Sequence, residues 1–283
     1  MKRMTSFASA AVVLATAVTL AGPANASLAA RTSPGARLPV ITVAMTGKTI
    51  RVGGMLRSGG VRIVSTVTRE PQGQPAFIRL DPGVTLAHFF RLLRSGAASD
   101  PNNLNGVASI VVDAQASRGT SAVQANLRPG QYVALDTIGN NPATWPVTTF
   151  VIAAASSPAK LPAPQAAVRA IEFGFRGPGT LHDGELVRFG NRGFLVHMII
   201  AIGAKSRAGA NEIAKLLKEG KDGQAQKLAA GFTTFAGPLS HGAFQQLVVS
   251  VHPGYWVLAC FMNTQDGREH TVLGMERVIR ITA

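Results

Sequence analysis

The residues with chemistry to offer gather near the end of the chain. An apolar run, Pro253-Gly254-Tyr255-Trp256-Val257-Leu258-Ala259, leads into Cys260, the one cysteine in 283 residues. His270 and Met275 follow on one stretch, in the order Cys-x9-His-x4-Met. A second imidazole stands upstream in Val196-His197-Met198-Ile199. Thiolate, thioether and imidazole together favour copper, and two His with one Cys and a long axial Met make an electron-transfer geometry for that ion. Taken singly, each residue has a plainer reading. Cys260 is a small hydrophobe at the end of an apolar strand. His197 is a hydrogen-bonded strand histidine. His270 sits on a polar loop beside Arg268 and Glu269, and Met275 serves as packing. The pattern raises all four together.

Other chemistry is thin. Gly-x-Ser-x-Gly and His-Glu-x-x-His are absent, and Gly174 to Gly179 has no Lys-Ser/Thr after it, as a phosphate loop requires. Nothing therefore argues for an enzyme. His241 and His252 are weaker candidates for a ligand or an outer partner, and His88 and His182 read as surface residues. One cysteine forms no internal disulfide. The chain carries 28 Lys+Arg against 14 Asp+Glu, a formal net charge of +14. The basic residues are scattered with no dense aromatic-interleaved cluster, so nucleic-acid binding has little support. Attraction to an anionic envelope component, or steering of a redox partner protein, fits that charge better.

The N-terminus predicts export. Lys2 and Arg3 precede a nearly apolar stretch from Ala8 to Leu20, and Ala24-Asn25-Ala26 is a small-x-small cleavage site. Residues 1–26 read as a signal peptide and 27–38 as a flexible leader, giving a secreted or extracytoplasmic protein with no membrane span after cleavage. An Ala/Ser/Pro-rich stretch then divides the chain. The expected units are a domain over 39–153, a linker over 154–167 and a second domain over 168–283.

Short apolar runs with turn signals between them fill both units, and each has a helix before its final strands. In the first, Thr85 caps a helix ending near Gly96; in the second, a helix spans Glu212 to Glu219, with a short one from about Gln224 to Ala230. Glu70 to Gln74 and Thr180 to Gly184 read as turns. Pro129-Gly130-Gln131-Tyr132-Val133-Ala134-Leu135-Asp136 aligns without gaps on Pro253-Gly254-Tyr255-Trp256-Val257-Leu258-Ala259-Cys260, and two further segments match in order, so the units read as a duplication. The fold expected is mainly β: two Greek-key sandwiches, each with an inserted helix.

With His197 after Asn191-Arg192-Gly193, and with Pro253-Gly254-Tyr255, Cys260, His270 and Met275 in that order, the chain resembles the cupredoxin (blue-copper) family. The resemblance covers both units as a fold and only the second as a site. It implies one copper ion held by His197, Cys260, His270 and Met275, for electron transfer or copper handling. The gap between Cys260 and His270 is longer than in small electron carriers and closer to the copper nitrite reductases; a turn at Asp266-Gly267 would fold the excess into a hairpin. Phe194, Phe261, Met198 or Met262 would keep such a centre dry. The first unit has Asp136 in place of the cysteine and Gln74-Pro75-Ala76 where His197 would lie, so it forms no site. The competing reading is a metal-free secreted sandwich module with a structural, adhesive or envelope-binding role.

Overall fold

The structure, a computed structural model, describes residues 38–139 and 141–283. The stretch read as a signal peptide, and all of the leader except Leu38, lie outside them. Among the described residues, no helix is long and apolar enough to cross a membrane.

The chain is mainly β. Its first half runs β1 (Val40–Met45), β2 (Ile50–Gly54), β3 (Gly59–Gly73), β4 (Pro75–Leu80), α1 (Leu86–Arg94), β5 (Ala108–Asp113), β6 (Ala116–Leu127), β7 (Gly130–Asp136) and β8 (Val147–Ile152). The second half runs β9 (Ala166–Ile171), β10 (Gly174–Arg176), β11 (Thr180–His182), β12 (Leu186–Asn191) and β13 (His197–Ala204). It continues with α2 (Arg207–Lys218), α3 (Asp222–Leu228), β14 (Gly231–Leu239), β15 (Phe244–Val248), β16 (Gly254–Ala259) and β17 (Glu276–Thr282).

The pairing in the two halves is the same. β1 lies antiparallel to β2 and parallel to β3, and β3 is antiparallel to β6. β9 lies antiparallel to β10 and parallel to β12, and β12 is antiparallel to β15. In the facing sheets β4 sits between β5 and β7, with β8 beyond β7; β13 sits between β14 and β16, with β17 beyond β16. β11 is an addition, parallel to β17.

Burial on both faces explains the unbroken apolar runs. Along β7, Tyr132 and Ala134 point into the core between the sheets, while Val133 and Leu135 meet Phe89 and Leu93 of α1. Along β16, Trp256 and Leu258 face the inner core, and Val257 and Ala259 meet Ile213 and Leu217 of α2. A strand buried on both faces shows no polar alternation. The period of two carries the next inward position to Cys260, which joins the inner core. The helices are set by local chemistry. Thr85 Oγ1 accepts from His88 N at 3.2 Å and Ser206 Oγ from Gly209 N at 3.1 Å, supplying the side-chain caps that open α1 and α2.

The halves are not two free-standing sandwiches. β6 pairs with β15, so four strands from each half make one eight-stranded sheet. Beside that seam Gln245 is fully buried. Its Oε1 accepts from Asp113 N at 3.2 Å and its Nε2 donates to Phe235 O at 2.9 Å. The Ala/Ser/Pro-rich connection lies along the sheet: Gly60 N donates to Ala159 O at 2.6 Å, and Gln246 Nε2 to Pro162 O at 3.2 Å. β9 begins at Ala166, inside the stretch read as linker. Two expected turns also differ. Residues 70–73 continue β3 past an irregularity where Arg69 takes φ 70, and residues 180–182 form β11.

Gln245→Leu leaves the Asp113 N–H and the Phe235 carbonyl buried without partners. At about 1–3 kcal/mol for each group, urea unfolding should show a loss of roughly 2–6 kcal/mol. A loss below about 0.5 kcal/mol, the range of an ordinary surface change, contradicts the role given to this side chain.

Candidate metal centre

His197 opens β13 at the end of a short loop from β12. Asn191, itself buried, organises that loop. Its Nδ2 donates to Leu195 O at 2.7 Å and Leu239 O at 2.8 Å, and its Oδ1 accepts from Gly193 N at 2.8 Å. The first half adds a hold, since Val196 N donates to Asn102 Oδ1 at 2.8 Å. The imidazole therefore hangs from a loop fixed at both ends.

The segment after Cys260 folds back on itself. His270 N donates to Met262 O at 2.8 Å, and Asn263 bridges Glu269. Thr264 N donates to Arg268 O and Gly267 N to Thr264 O, so Gln265 and Asp266 are the central pair of the turn and Gly267 follows at φ 82. The expected hairpin is present, one residue earlier than read. A second turn brings the chain home: Met275 N donates to His270 O at 2.9 Å, and Cys260 N to Met275 O at 3.3 Å. Cys260, His270 and Met275 thus close into one small ring of backbone.

The outcome is a triangle of side-chain atoms. His197 Nδ1 lies 3.1 Å from His270 Nδ1 and 3.8 Å from Cys260 Sγ, and His270 Nδ1 lies 3.4 Å from that sulfur. A point equidistant from the three is about 2 Å from each, close to the roughly 2.0–2.3 Å of metal–imidazole and metal–thiolate bonds. All three residues are buried, and Met275 is fully buried in the same core cluster. His197, Cys260, His270 and Met275 together form a blue-copper-like ligand set.

The electrostatics fit a held but neutral site. Burial pushes the Cys260 thiol up to about 12, and Met198 N donates to its sulfur at 3.4 Å. Burial lowers both imidazoles to about 4, with His197 adding to the effect on His270. Each imidazole turns Nδ1 inward and leaves a buried Nε2 with no hydrogen-bond partner. Such orphaned polar atoms are uncommon in a folded core and call for a reason. A pair of neutral histidines sharing one proton accounts for the 3.1 Å contact. It does not account for the sulfur that completes the triangle.

Several expected neighbours lie elsewhere. Phe194 is 86% exposed and shields nothing, because it stands at the tip of the loop before His197. Phe261 packs toward α2 on the other face of the strand, as alternation from Cys260 requires. Met262 and Met198 do pack against the core that holds the site. His241 donates from Nδ1 to Gly193 O at 2.8 Å, His252 packs on Trp256, and neither joins the triangle. Two residues had no signal in the sequence. Phe173 sets its ring edge-on to His270, with centroids 5.2 Å apart, and Glu172 places Oε1 3.6 Å from His197 Nε2.

The first half shows the same frame without the ligands. Gln74 N donates to Asp136 Oδ1 at 2.9 Å, as Met198 N does to Cys260 Sγ. The β4–β7 register puts Gly73, not Gln74 to Ala76, in the position of His197. A carboxylate with no imidazole beside it remains there.

No family model and no curated protein matches the chain. Among solved structures it is similar to auracyanin A, described as a "blue" copper protein from Chloroflexus aurantiacus, at 15% identity over 41% of this chain and 95% of that one, with a TM-score of 0.25. Reduced auracyanin from Roseiflexus castenholzii gives 14% over 41% and 95%, at 0.26. A Cu-containing nitrite reductase from Thermus scotoductus gives 11% over 86% and 67%, at 0.25. These neighbours are cupredoxin-like. Overlap this weak carries no argument of its own, and the Cys–His–His triangle stands without it.

Burial of the imidazoles has a consequence for stability. Between the ordinary 6.5 and the folded value of about 4, the unfolded chain is protonated at both histidines and the folded chain at neither. Their contribution to stability therefore falls as pH drops through that window, by up to about 1.4 kcal/mol per pH unit for each group. Urea unfolding of the metal-free protein at pH 7 and pH 4.5 should show His197→Gln losing about 2 kcal/mol less than the parent. Equal losses contradict the buried, neutral imidazole.

Proposed function

We propose that this chain is an exported cupredoxin-like protein in which His197, Cys260, His270 and Met275 would hold one copper ion, for electron transfer. The observation that supports it is the triangle of Nδ1, Nδ1 and Sγ, sized for a metal and built from the donor types that copper prefers. A bound copper ion supplies one-electron redox chemistry. The chain's own part is positional. β13 and the closed loop 260–275 fix the three donors, the surrounding core excludes water, and the Met198 N–H offers the sulfur a donor that favours thiolate. A geometry held from both sides changes little between oxidation states, which keeps the reorganisation cost of electron transfer low.

On this reading the first half, with the same strand pairing and no ligand set, is a second copy of the unit that serves as scaffold. It supplies the Asn102 contact to the His197 loop and half of the shared sheet. Without Lys2 and Arg3 of the signal peptide the chain carries 26 Lys+Arg against 14 Asp+Glu, a formal charge of +12, which suits an acidic redox partner or an anionic envelope component. Export rests on the N-terminal pattern, and secretion or another extracytoplasmic location follows from it.

Titrating the metal-free protein with copper(II) should saturate at one equivalent and produce an intense visible thiolate-to-copper band, which Cys260→Ser abolishes. A protein that takes up no copper, or an unchanged band in Cys260→Ser, contradicts the proposal. Binding at pH 7 should also release one proton per chain, since the thiol is still protonated there and both imidazoles are already neutral. Calorimetry in two buffers of different ionisation enthalpy measures that number, and a value of zero means that Cys260 is not a ligand.

A further inference from the structure

The turn between β9 and β10 is two residues long, Glu172 and Phe173, and it touches both imidazoles. Phe173 takes φ 53. A bulky residue in left-handed space is an outlier, and such strain persists where the surroundings hold it and often where function needs it. What holds it is visible on both sides. The Phe173 ring lies against His270, and Glu172 Oε1 accepts from the backbone N–H groups of Phe194 and Leu195. Two backbone N–H groups donating to one carboxylate oxygen favour its ionised form, and they hold the carboxyl below its ordinary range although burial pushes it up.

Gly193 is the gap through which this carboxylate meets the histidine. A Cβ on Gly193 would lie 2.5 Å from Glu172 Oε1 and 2.6 Å from His197 Nε2. Its φ is not in the left-handed region, so the demand for glycine here is one of space and not of backbone freedom. The 3.6 Å between Oε1 and Nε2 is longer than a hydrogen bond but close enough for a charge to act on the ring. In a neutral imidazole the proton sits on one nitrogen or the other, and a carboxylate beside Nε2 draws it there.

We infer that Glu172 is a positioning residue for the centre: its carboxylate holds the His197 proton on Nε2, so that the lone pair of Nδ1 faces Cys260 and His270. The inference rests on the copper reading for its consequence, but the choice of nitrogen is a property of the metal-free chain. A carboxylate behind a ligating histidine fixes its tautomer and raises its basicity. Its negative charge also favours the more highly charged state of a bound ion, which lowers the reduction potential.

Glu172→Gln isolates the charge, because an amide oxygen still accepts from Phe194 and Leu195. In metal-free protein, nitrogen-15 NMR should find His197 protonated on Nε2 in the parent and moved toward Nδ1 protonation in Glu172→Gln. Gly193→Ala, which keeps Glu172 but wedges it from the ring, should shift the same nitrogens the same way. In loaded protein, Glu172→Gln should bind copper(II) about 10- to 100-fold more weakly and show a higher reduction potential. Unchanged His197 nitrogen shifts in both variants overturn the inference, as does a potential equal to the parent's. Failure of the parent to bind copper at all defeats the proposed function, and the metal-free NMR comparison then still decides the role of Glu172.

Discussion

Everything in the second half serves one constraint. The sulfur of a thiol and one nitrogen from each of two imidazoles must lie within 3.8 Å of one another where water does not reach. Polar side chains brought together in a dry core lose hydration, and the structure leaves two ring nitrogens unpaired as the visible cost. Such a cluster survives only if its backbone is fixed by something stronger than the cluster itself. Two devices supply that. One is the closed ring of main-chain bonds linking Cys260, Met262, His270 and Met275. The other is Asn191, whose amide spends both ends on the loop that delivers His197 and on the strand beside it.

Those devices depend in turn on layers that have no chemistry of their own. β16 is buried on one face by the facing sheet and on the other by α2, so the strand that ends at Cys260 cannot slip by one residue without turning a core face to the wrong side. The first half repeats the arrangement with α1 over β7, and there the equivalent N–H still reaches a side-chain acceptor, now Asp136. Burial pushes the carboxyl of Asp136 up, and Asp113 is raised well above its ordinary range by the same cause, so this half keeps polar groups at the matching depth. The frame thus accommodates a buried polar cluster in either half, and the side chains placed there decide what kind.

The ligand order was legible because it lies in one short stretch and uses rare residue types. Cys260, His270 and Met275 could be read from spacing alone, and the hairpin between them from Asp266-Gly267. The halves' common order was legible from the aligned apolar runs. β6 was not: Ala116-Ser117-Arg118-Gly119-Thr120-Ser121 offers no apolar alternation, and those residues are extended because β3 pairs with them. β2, short and ending in two glycines, and β14, interrupted by Gly237 and Pro238, also offer little strand pattern of their own. Glu172 and Phe173 carried no signal because a turn residue's reach across 22 or more residues is set by sheet pairing and not by local pattern. Phe194 misled in the opposite direction, an aromatic beside a ligand in sequence that points to solvent in space.

The most direct test of the metal centre is X-ray absorption at the copper edge on protein loaded with one equivalent. The geometry predicts two nitrogen scatterers at about 2.0 Å and one sulfur at about 2.2–2.3 Å, the distances of imidazole and thiolate bonds. A first coordination sphere of nitrogen and oxygen alone, with no sulfur, would contradict it.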